Sequence, residues 1–141
     1  MDDQFDFSRF VVAQDSGGTY ARATAELRAG RKTSHWMWFV FPQIAGLGFS
    51  QTSRRYAITS LDEAMAYLAH EVLGPRLLEC AGIVASLTGP TAEQIFGHVD
   101  AQKLRSSMTL FLRAAPDQTV FAEVLALYFG AVPDPATDEL L

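Results

Sequence analysis

Apolar residues recur along most of this chain at spacings of three and four, the period of an amphipathic α-helix. Glycine, proline and short polar stretches interrupt this pattern. The segments between the breaks are predicted helices over residues 7–14, 19–29, 35–41, 61–70, 72–88, 92–97, 101–115 and 120–129. No convincing strand alternation is present, although one small β-hairpin within residues 42–58 stays an open alternative. The pattern predicts an all-α fold of about seven to nine short helices.

Capping signals mark the starts of several predicted helices. Ser60 to Glu63 and Thr91 to Gln94 match the capping box, in which the first side chain and the fourth residue exchange hydrogen bonds. We expect Glu63 to serve only as the partner in its own box. Asp100 is the expected N-cap of the helix that follows it, and Asp134 followed by Pro135 is expected to open a last short turn.

Length, charge and cysteine content narrow the class of protein. A chain of 141 residues can bury roughly 70% of its unfolded surface, so we predict one compact domain over residues 1–141. The net charge of −5 argues against a broad nucleic-acid or anionic-membrane surface. No apolar stretch reaches the roughly 18 residues of a membrane span. The single cysteine, Cys80, is expected to be a buried, inert thiol in a cytoplasmic protein, whose oligomeric state stays open.

The run from His35 to Gln43 is the densest aromatic segment of the chain and holds both tryptophans, Trp36 and Trp38. A buried tryptophan contributes a large apolar ring and one N–H donor that needs a partner. In a helix, His35, Trp38 and Phe39 would share one face and Trp36 would lie on another. The run is therefore predicted to form either the centre of the core or the aromatic wall of a pocket, with His35 and Gln43 at its two edges.

A second dense segment, residues 103–111, mixes polar and apolar positions. Lys103, Ser106 and Ser107 fall on one helical stripe, beside a stripe of apolar residues. The polar stripe could line a pocket, where the lysine and the hydroxyls would bind an anion or a sugar. Alternatively it is a solvated face whose buried hydroxyls bond to backbone carbonyls four residues earlier. Both interpretations stay open at this point.

Templates for several common chemistries are missing from the sequence. The three histidines lie far apart and no paired-His or paired-Cys motif supports them, so we predict no metal site and no cofactor. Gly46-Leu47-Gly48 lacks the strand and the lysine of a phosphate loop. His35 is the candidate for acid–base catalysis because imidazole changes charge near neutral pH, with a satisfied structural histidine as the alternative.

Tyr56 directly follows two arginines, Arg54 and Arg55. Its ring could stack on a base or simply close the loop against the core. The arginines form either a local basic patch or the solvated end of a helix, where cations are favoured. Tyr56 is therefore included among the candidate ligand-binding residues.

These segments resemble a small bacterial family catalogued as the domain of unknown function number 1810. The matching pieces include 26–32, 35–43, 46–48, 60–64, 73–77, 95–97 and 103–111. The resemblance implies a compact, mostly helical single domain and implies no activity. More loosely, Phe10, Ala13 and Gln14 look like a motif of the superfamily that handles ADP-ribose and related N-glycosides. N-glycosidases of that superfamily use a carboxylate near this motif, where this chain has Ser8, with Asp6 nearby.

Three functions are compatible with these features. The first is binding or hydrolysis of a nucleotide-like or ADP-ribosyl small molecule in a pocket lined by residues 35–43 and 103–111. The predicted ligand-binding residues are Trp36, Trp38, Gln43, Tyr56, Lys103, Ser106 and Ser107. His35, or an acid such as Asp6, would act in any hydrolysis. The second is a non-enzymatic protein-interaction module that docks through exposed aromatic residues. The third is that both segments are simply core.

Overall fold

The computed structural model describes residues 4–141, and within them the fold is all-α, as predicted. Six helices have eight residues or more and four have four to six. Their bounds are α1 Ser8–Asp15, α2 Thr19–Arg28, α3 Met37–Val40, α4 Gln51–Arg55, α5 Leu61–Ala69, α6 Leu73–Ser86, α7 Ala92–Phe96, α8 His98–Ala114, α9 Thr119–Phe129 and α10 Pro135–Leu140, with a 3-10 turn at Ser16–Gly18. None of these described helices is long and apolar enough to cross a membrane.

Most of the predicted caps are present. Thr91 and Gln94 form a complete capping box, and Asp134 accepts a hydrogen bond from the Thr137 backbone N–H at 3.2 Å. Ser60 also caps α5, but the Glu63 carboxylate bonds to the backbone and hydroxyl of Thr59 rather than to Ser60. These helix starts follow from residues within four positions of one another, which is why the sequence predicts them.

Three local predictions are wrong. Asp100 does not cap α8, which begins at His98 after Gly97; Asp100 lies in its first turn. The helix predicted over 35–41 is only the single turn of α3, so His35 and Trp36 precede it in a loop. The segment 44–53, which lies outside every predicted helix, runs into α4 at Gln51. The alternative hairpin within 42–58 is reduced to one isolated parallel bridge, between Ile44 and Ile58.

The core is built around α8, which packs against α5, α7, α9 and α10. Its apolar stripe, including Leu104, Met108 and Phe111, is fully buried. The ring of Phe111 lies 5.4 Å from that of Tyr67 on α5 and 5.9 Å from that of Phe121 on α9. Each fully buried side chain of this size contributes about 1.5–3 kcal/mol, so α8 is a central element of the core to which α5, α7, α9 and α10 attach.

Candidate ligand-binding site

A cleft with a volume of about 130 Å³ opens between the segment that follows α3 and the segment that joins α4 to α5. We call it the Trp38 cleft. Its wall consists of Trp38, Gln43, Ile44, Ala45, Gly46, Gly48, Ser53, Arg54, Tyr56, Ala57 and Thr59. The wall thus contains three of the predicted ligand-binding residues, Trp38, Gln43 and Tyr56. None of residues 103–111, the predicted second wall, lines this cleft.

Glu26 on α2 fixes the loop that leads into α3. Its carboxylate accepts hydrogen bonds from the backbone N–H groups of Thr33 and Ser34, at 2.8 and 3.0 Å, and from the indole Nε1–H of Trp36, at 2.9 Å. Burial alone would raise the pKa of Glu26, but hydrogen bonds from these residues outweigh burial and lower it from 4.5 to about 2. The loop is therefore anchored, and Trp38 follows two residues after the anchored Trp36.

The opposite wall is joined to the first by backbone hydrogen bonds. The N–H of Ile58 donates to the carbonyl of Gln43 at 2.8 Å, and the N–H of Ala45 donates to the carbonyl of Ile58 at 2.7 Å. The ring of Tyr56 packs 5.3 Å from that of Phe39 on α3. Contacts between residues about 15 positions apart thus set the width of the cleft.

Three side chains of the wall carry hydrogen-bonding groups that pair with nothing in residues 4–141. The Nε1–H of Trp38 is buried and has no partner. The side-chain amide of Gln43 and the hydroxyl of Tyr56, both on half-buried residues, likewise make no hydrogen bond within the described chain. A buried donor without a partner costs about 1–3 kcal/mol. The Gln43 amide and the Tyr56 hydroxyl can therefore bind a polar ligand, and the unsatisfied Trp38 donor belongs to a residue of the same wall.

A second, open depression of about 410 Å³ adjoins the cleft and shares Arg54, Ala57 and Thr59 with it. We call it the arginine depression, because Arg9, Arg54 and Arg55 all line it. Arg54 makes no ion pair and no side-chain hydrogen bond with any residue of the described chain. It is an exposed cation at the boundary between the two spaces.

Arg9, which lines this depression, holds neighbouring segments of the chain together. Its guanidinium donates to the backbone carbonyls of Asp6, Arg55 and Ala57 and pairs with Glu63 at 3.0 Å. The Glu63 side chain is only 2% exposed. Glu63 is therefore more than the predicted capping-box partner: with Arg9 it ties α1 and α5 to the loop that forms one wall of the cleft.

Lys103 does not line the cleft, but it contacts one of the cleft residues. Its Nζ is 4.3 Å from the centroid of the Trp38 ring and 3.5 Å from the carboxylate of Asp100. Asp100 also pairs with Lys32 at 2.8 Å. The Lys103 ammonium thus interacts with both the Asp100 carboxylate and the Trp38 ring, which it stabilises by a cation–π contact.

The predicted hydroxyls of α8 are buried away from the cleft. Ser106 Oγ lies within hydrogen-bond distance of the Gln102 carbonyl, at 3.0 Å, and of the Asp134 carboxylate, at 2.9 Å. Thr109 donates to the carbonyl four residues earlier. Ser107 is fully buried and its hydroxyl has no partner among the described residues. Back-bonding accounts for Ser106 and Thr109, whereas Ser107 is an orphan hydroxyl for which we have no structural reason.

His35 and Trp36 also lie outside the cleft wall. His35 is exposed, and Trp36 is fully buried with its N–H on Glu26. Phe41 is fully buried as well, whereas Trp38 and Phe39 are half-buried. The aromatic run is therefore mainly core, with one ring at the cleft. Within residues 4–141 no cluster of three or more His, Cys, Asp or Glu side chains could hold a metal ion.

Sequence reasoning missed the importance of Arg54, Thr59 and the glycines at 46 and 48. Gly46 and Gly48 form part of the wall, and Gly46 has a φ of 106°, which favours glycine. The signal was present as a glycine pair a few residues before Arg54 and Tyr56. It could not be assigned because the segment shows no helical period that would place these residues opposite Trp38.

The comparisons with known proteins agree with this fold and name no reaction. A family model described as "Protein of unknown function (DUF1810)" matches residues 4–141. The chain is similar to the conserved hypothetical protein Rv1873 from Mycobacterium tuberculosis, solved by crystallography at 1.38 Å. The two are 53% identical over 99% of this chain and 98% of that chain, with a TM-score of 0.95. No curated protein matches the chain.

Proposed function

The chain belongs to the DUF1810 family, whose function is not established, and we propose that it binds a small nucleotide-like molecule with a ring of the base in the Trp38 cleft. The observation that carries this proposal is the buried, unpartnered Nε1–H of Trp38 in a wall that also presents Gln43 and Tyr56. A nucleobase is planar and has both donors and acceptors on its edge, so it complements an indole N–H, an amide and a phenol.

The size of the cleft supports a single ring system. Its volume of about 130 Å³ is close to that of an engineered cavity of about 150 Å³ that binds benzene. Contact with Trp38 and Tyr56 would contribute roughly 1–3 kcal/mol if the base stacks on one of the two rings. The cleft therefore accommodates part of a nucleotide and leaves the remainder of the molecule outside.

Binding is better supported than hydrolysis. Among residues 4–141, the cleft wall includes no carboxylate, histidine or cysteine, and general acid–base catalysis requires such a group within hydrogen-bond reach. His35 is exposed and does not line the cleft, so the proposal assigns it no catalytic role. Asp6 lines the adjoining arginine depression and is the carboxylate to examine should a bound ligand be cleaved.

The protein-interaction alternative has less support because the aromatic run is not an exposed patch. Trp36 and Phe41 are fully buried. The exposed aromatic residue near the cleft is Phe49, at 76% exposure, and it lies outside the run. We place the proposed binding in the cytoplasm, since the single cysteine, Cys80, is a buried free thiol that needs no oxidising compartment.

The proposal is tested by thermal shift and calorimetric titration with adenosine, AMP, NAD and ADP-ribose. A ligand that binds only the folded state adds about 2.7 kcal/mol of stability at a hundred times its Kd. We expect Gln43→Ala to weaken binding about tenfold, because it removes the side-chain amide that would hydrogen-bond to the edge of the base. Gln102→Ala, on an exposed part of α8, is the matched control and should bind like the wild type. Absence of binding by every compound, or equal binding by both variants, would contradict the proposal.

A further inference from the structure

The arginine depression is a polar space of about 410 Å³ beside the Trp38 cleft, and the proposed function leaves it without a role. We infer that it holds the phosphate of the bound molecule, so that the ligand class is a nucleoside phosphate rather than a nucleoside or a free base. This inference rests on the proposed function and extends it to a second subsite. In this subsite, Arg54 would be the main phosphate-binding side chain.

The two spaces are adjacent. Arg54, Ala57 and Thr59 line both of them, so among residues 4–141 only these three residues border both the cleft and the depression. The cleft, at about 130 Å³, is filled by a ring system, whereas the depression has a volume of about 410 Å³. A ribose phosphate attached to the base would therefore extend into the depression.

The charges of the depression favour an anion. Arg9, Arg54 and Arg55 face Asp6 and Glu63, in a chain whose net charge is −5. Glu63 is neutralised by Arg9, whose guanidinium is already occupied by backbone carbonyls. Among the described lining residues, Arg54 and Arg55 therefore remain against the carboxylate of Asp6. A local excess of positive charge of this kind attracts anions.

Arg54 is the arginine that is free to act. Arg55 lies over the Tyr56 ring, with its guanidinium carbon 5.6 Å from the ring centroid. Arg54 has no side-chain partner within residues 4–141 and belongs to both spaces. A guanidinium presents planar, paired N–H donors that match two phosphate oxygens. Its position next to the base subsite suits the phosphate group of a mononucleotide.

Removing the charge of Asp6 should change phosphate binding in the opposite direction from removing the charge of Arg54. Its carboxylate accepts a hydrogen bond from the Ser8 hydroxyl at 2.6 Å and faces the same depression. An anionic ligand would be repelled by this carboxylate. Asp6 has a φ of 52°, a conformation that asparagine tolerates better than most residues. Asp6→Asn therefore removes the charge with little strain and should tighten phosphate binding.

The experiment is calorimetric titration of adenosine, AMP and inorganic pyrophosphate into the 141-residue chain. We expect AMP to bind at least tenfold more tightly than adenosine, Arg54→Gln to abolish that difference, and Asp6→Asn to increase it severalfold. Arg31→Gln, at an exposed arginine outside both spaces, is the matched control and should leave all affinities unchanged.

The outcomes separate this inference from the proposed function. Equal affinity for AMP and adenosine would overturn the phosphate subsite and leave the base cleft supported. Pyrophosphate binding that Arg54→Gln removes, without adenosine or AMP binding, would support an anion subsite but overturn the nucleotide. Binding of AMP that is insensitive to both Arg54→Gln and Asp6→Asn would overturn the inference. Absence of all binding would overturn both proposals.

Discussion

Glu26 is predicted to control both the stability of the chain and the position of Trp38. The variant Glu26→Gln removes the charge and places an NH₂ group where the carboxylate now accepts bonds from Thr33, Ser34 and Trp36. The side chain would then offer the backbone and indole donors one acceptor oxygen instead of two. The loop before α3 would loosen, and the cleft wall that begins at Trp38 would lose its fixed position.

The magnitude follows from the pKa of Glu26. Hydrogen bonds that outweigh its burial lower this pKa from 4.5 to about 2 in the folded protein. At about 1.4 kcal/mol per pH unit, the difference corresponds to about 3 kcal/mol of folding stability. Because the folded pKa lies below the unfolded one, this contribution is complete above about pH 4.5 and is lost as the pH falls toward 2.

The assay is urea unfolding of the wild type and Glu26→Gln at pH 7 and pH 3. We expect a difference in the free energy of unfolding of about 3 kcal/mol at pH 7 and about half of that at pH 3. Glu123→Gln is the control, since Glu123 is exposed on α9 and has no partner in the described chain; it should change stability by less than about 0.5 kcal/mol. A Glu26→Gln effect that is the same at both pH values would refute the reasoning.

Three further predictions follow from buried polar groups. Arg9→Ala should cost about 3–5 kcal/mol in urea unfolding, because Glu63 would remain buried without its counter-ion; a loss below 1 kcal/mol would contradict this. Ser107→Ala should be neutral or stabilising by up to about 1 kcal/mol, whereas Thr109→Val should destabilise by about 1–3 kcal/mol. The reason is that, of these two hydroxyls, only that of Thr109 is hydrogen-bonded in the described chain. Equal thermal stabilities of the two variants would count against this prediction. Burial raises the pKa of Cys80 to about 12, so the thiol should resist a disulfide reagent at pH 8 in the folded protein and react on addition of urea; rapid reaction of the native chain would exclude this.

Features set by nearby residues could be predicted from the sequence. The capping box of Thr91 needs only Gln94, three positions later, and the cap of α10 needs only Asp134 and Thr137. The all-α class follows from the repeated period of the apolar residues. Trp38 could be identified as a candidate because an aromatic ring with an N–H donor is recognisable by composition alone.

Features set by distant residues could not be predicted. Asp100 looks like an N-cap in sequence, but in the fold it pairs with Lys32, which is 68 positions away. Glu63 looks like a capping-box partner, but Arg9 holds it from another helix. The wall residues that accompany Trp38 come from residues 43–59, whose sequence shows no helical period. Pairing between segments, rather than local propensity, decides which side chains meet at the site.

Binding of a nucleotide against Trp38 can be observed at the indole N–H resonances of the chain. The chain has two tryptophans: the Trp36 N–H is bonded to Glu26, and the Trp38 N–H has no partner among residues 4–141. In a ¹⁵N–¹H spectrum titrated with AMP, with the signals assigned by Trp38→Phe, we expect a downfield shift of the Trp38 indole proton while Trp36 stays unchanged. A Trp38 indole signal that does not move at saturating AMP would contradict it.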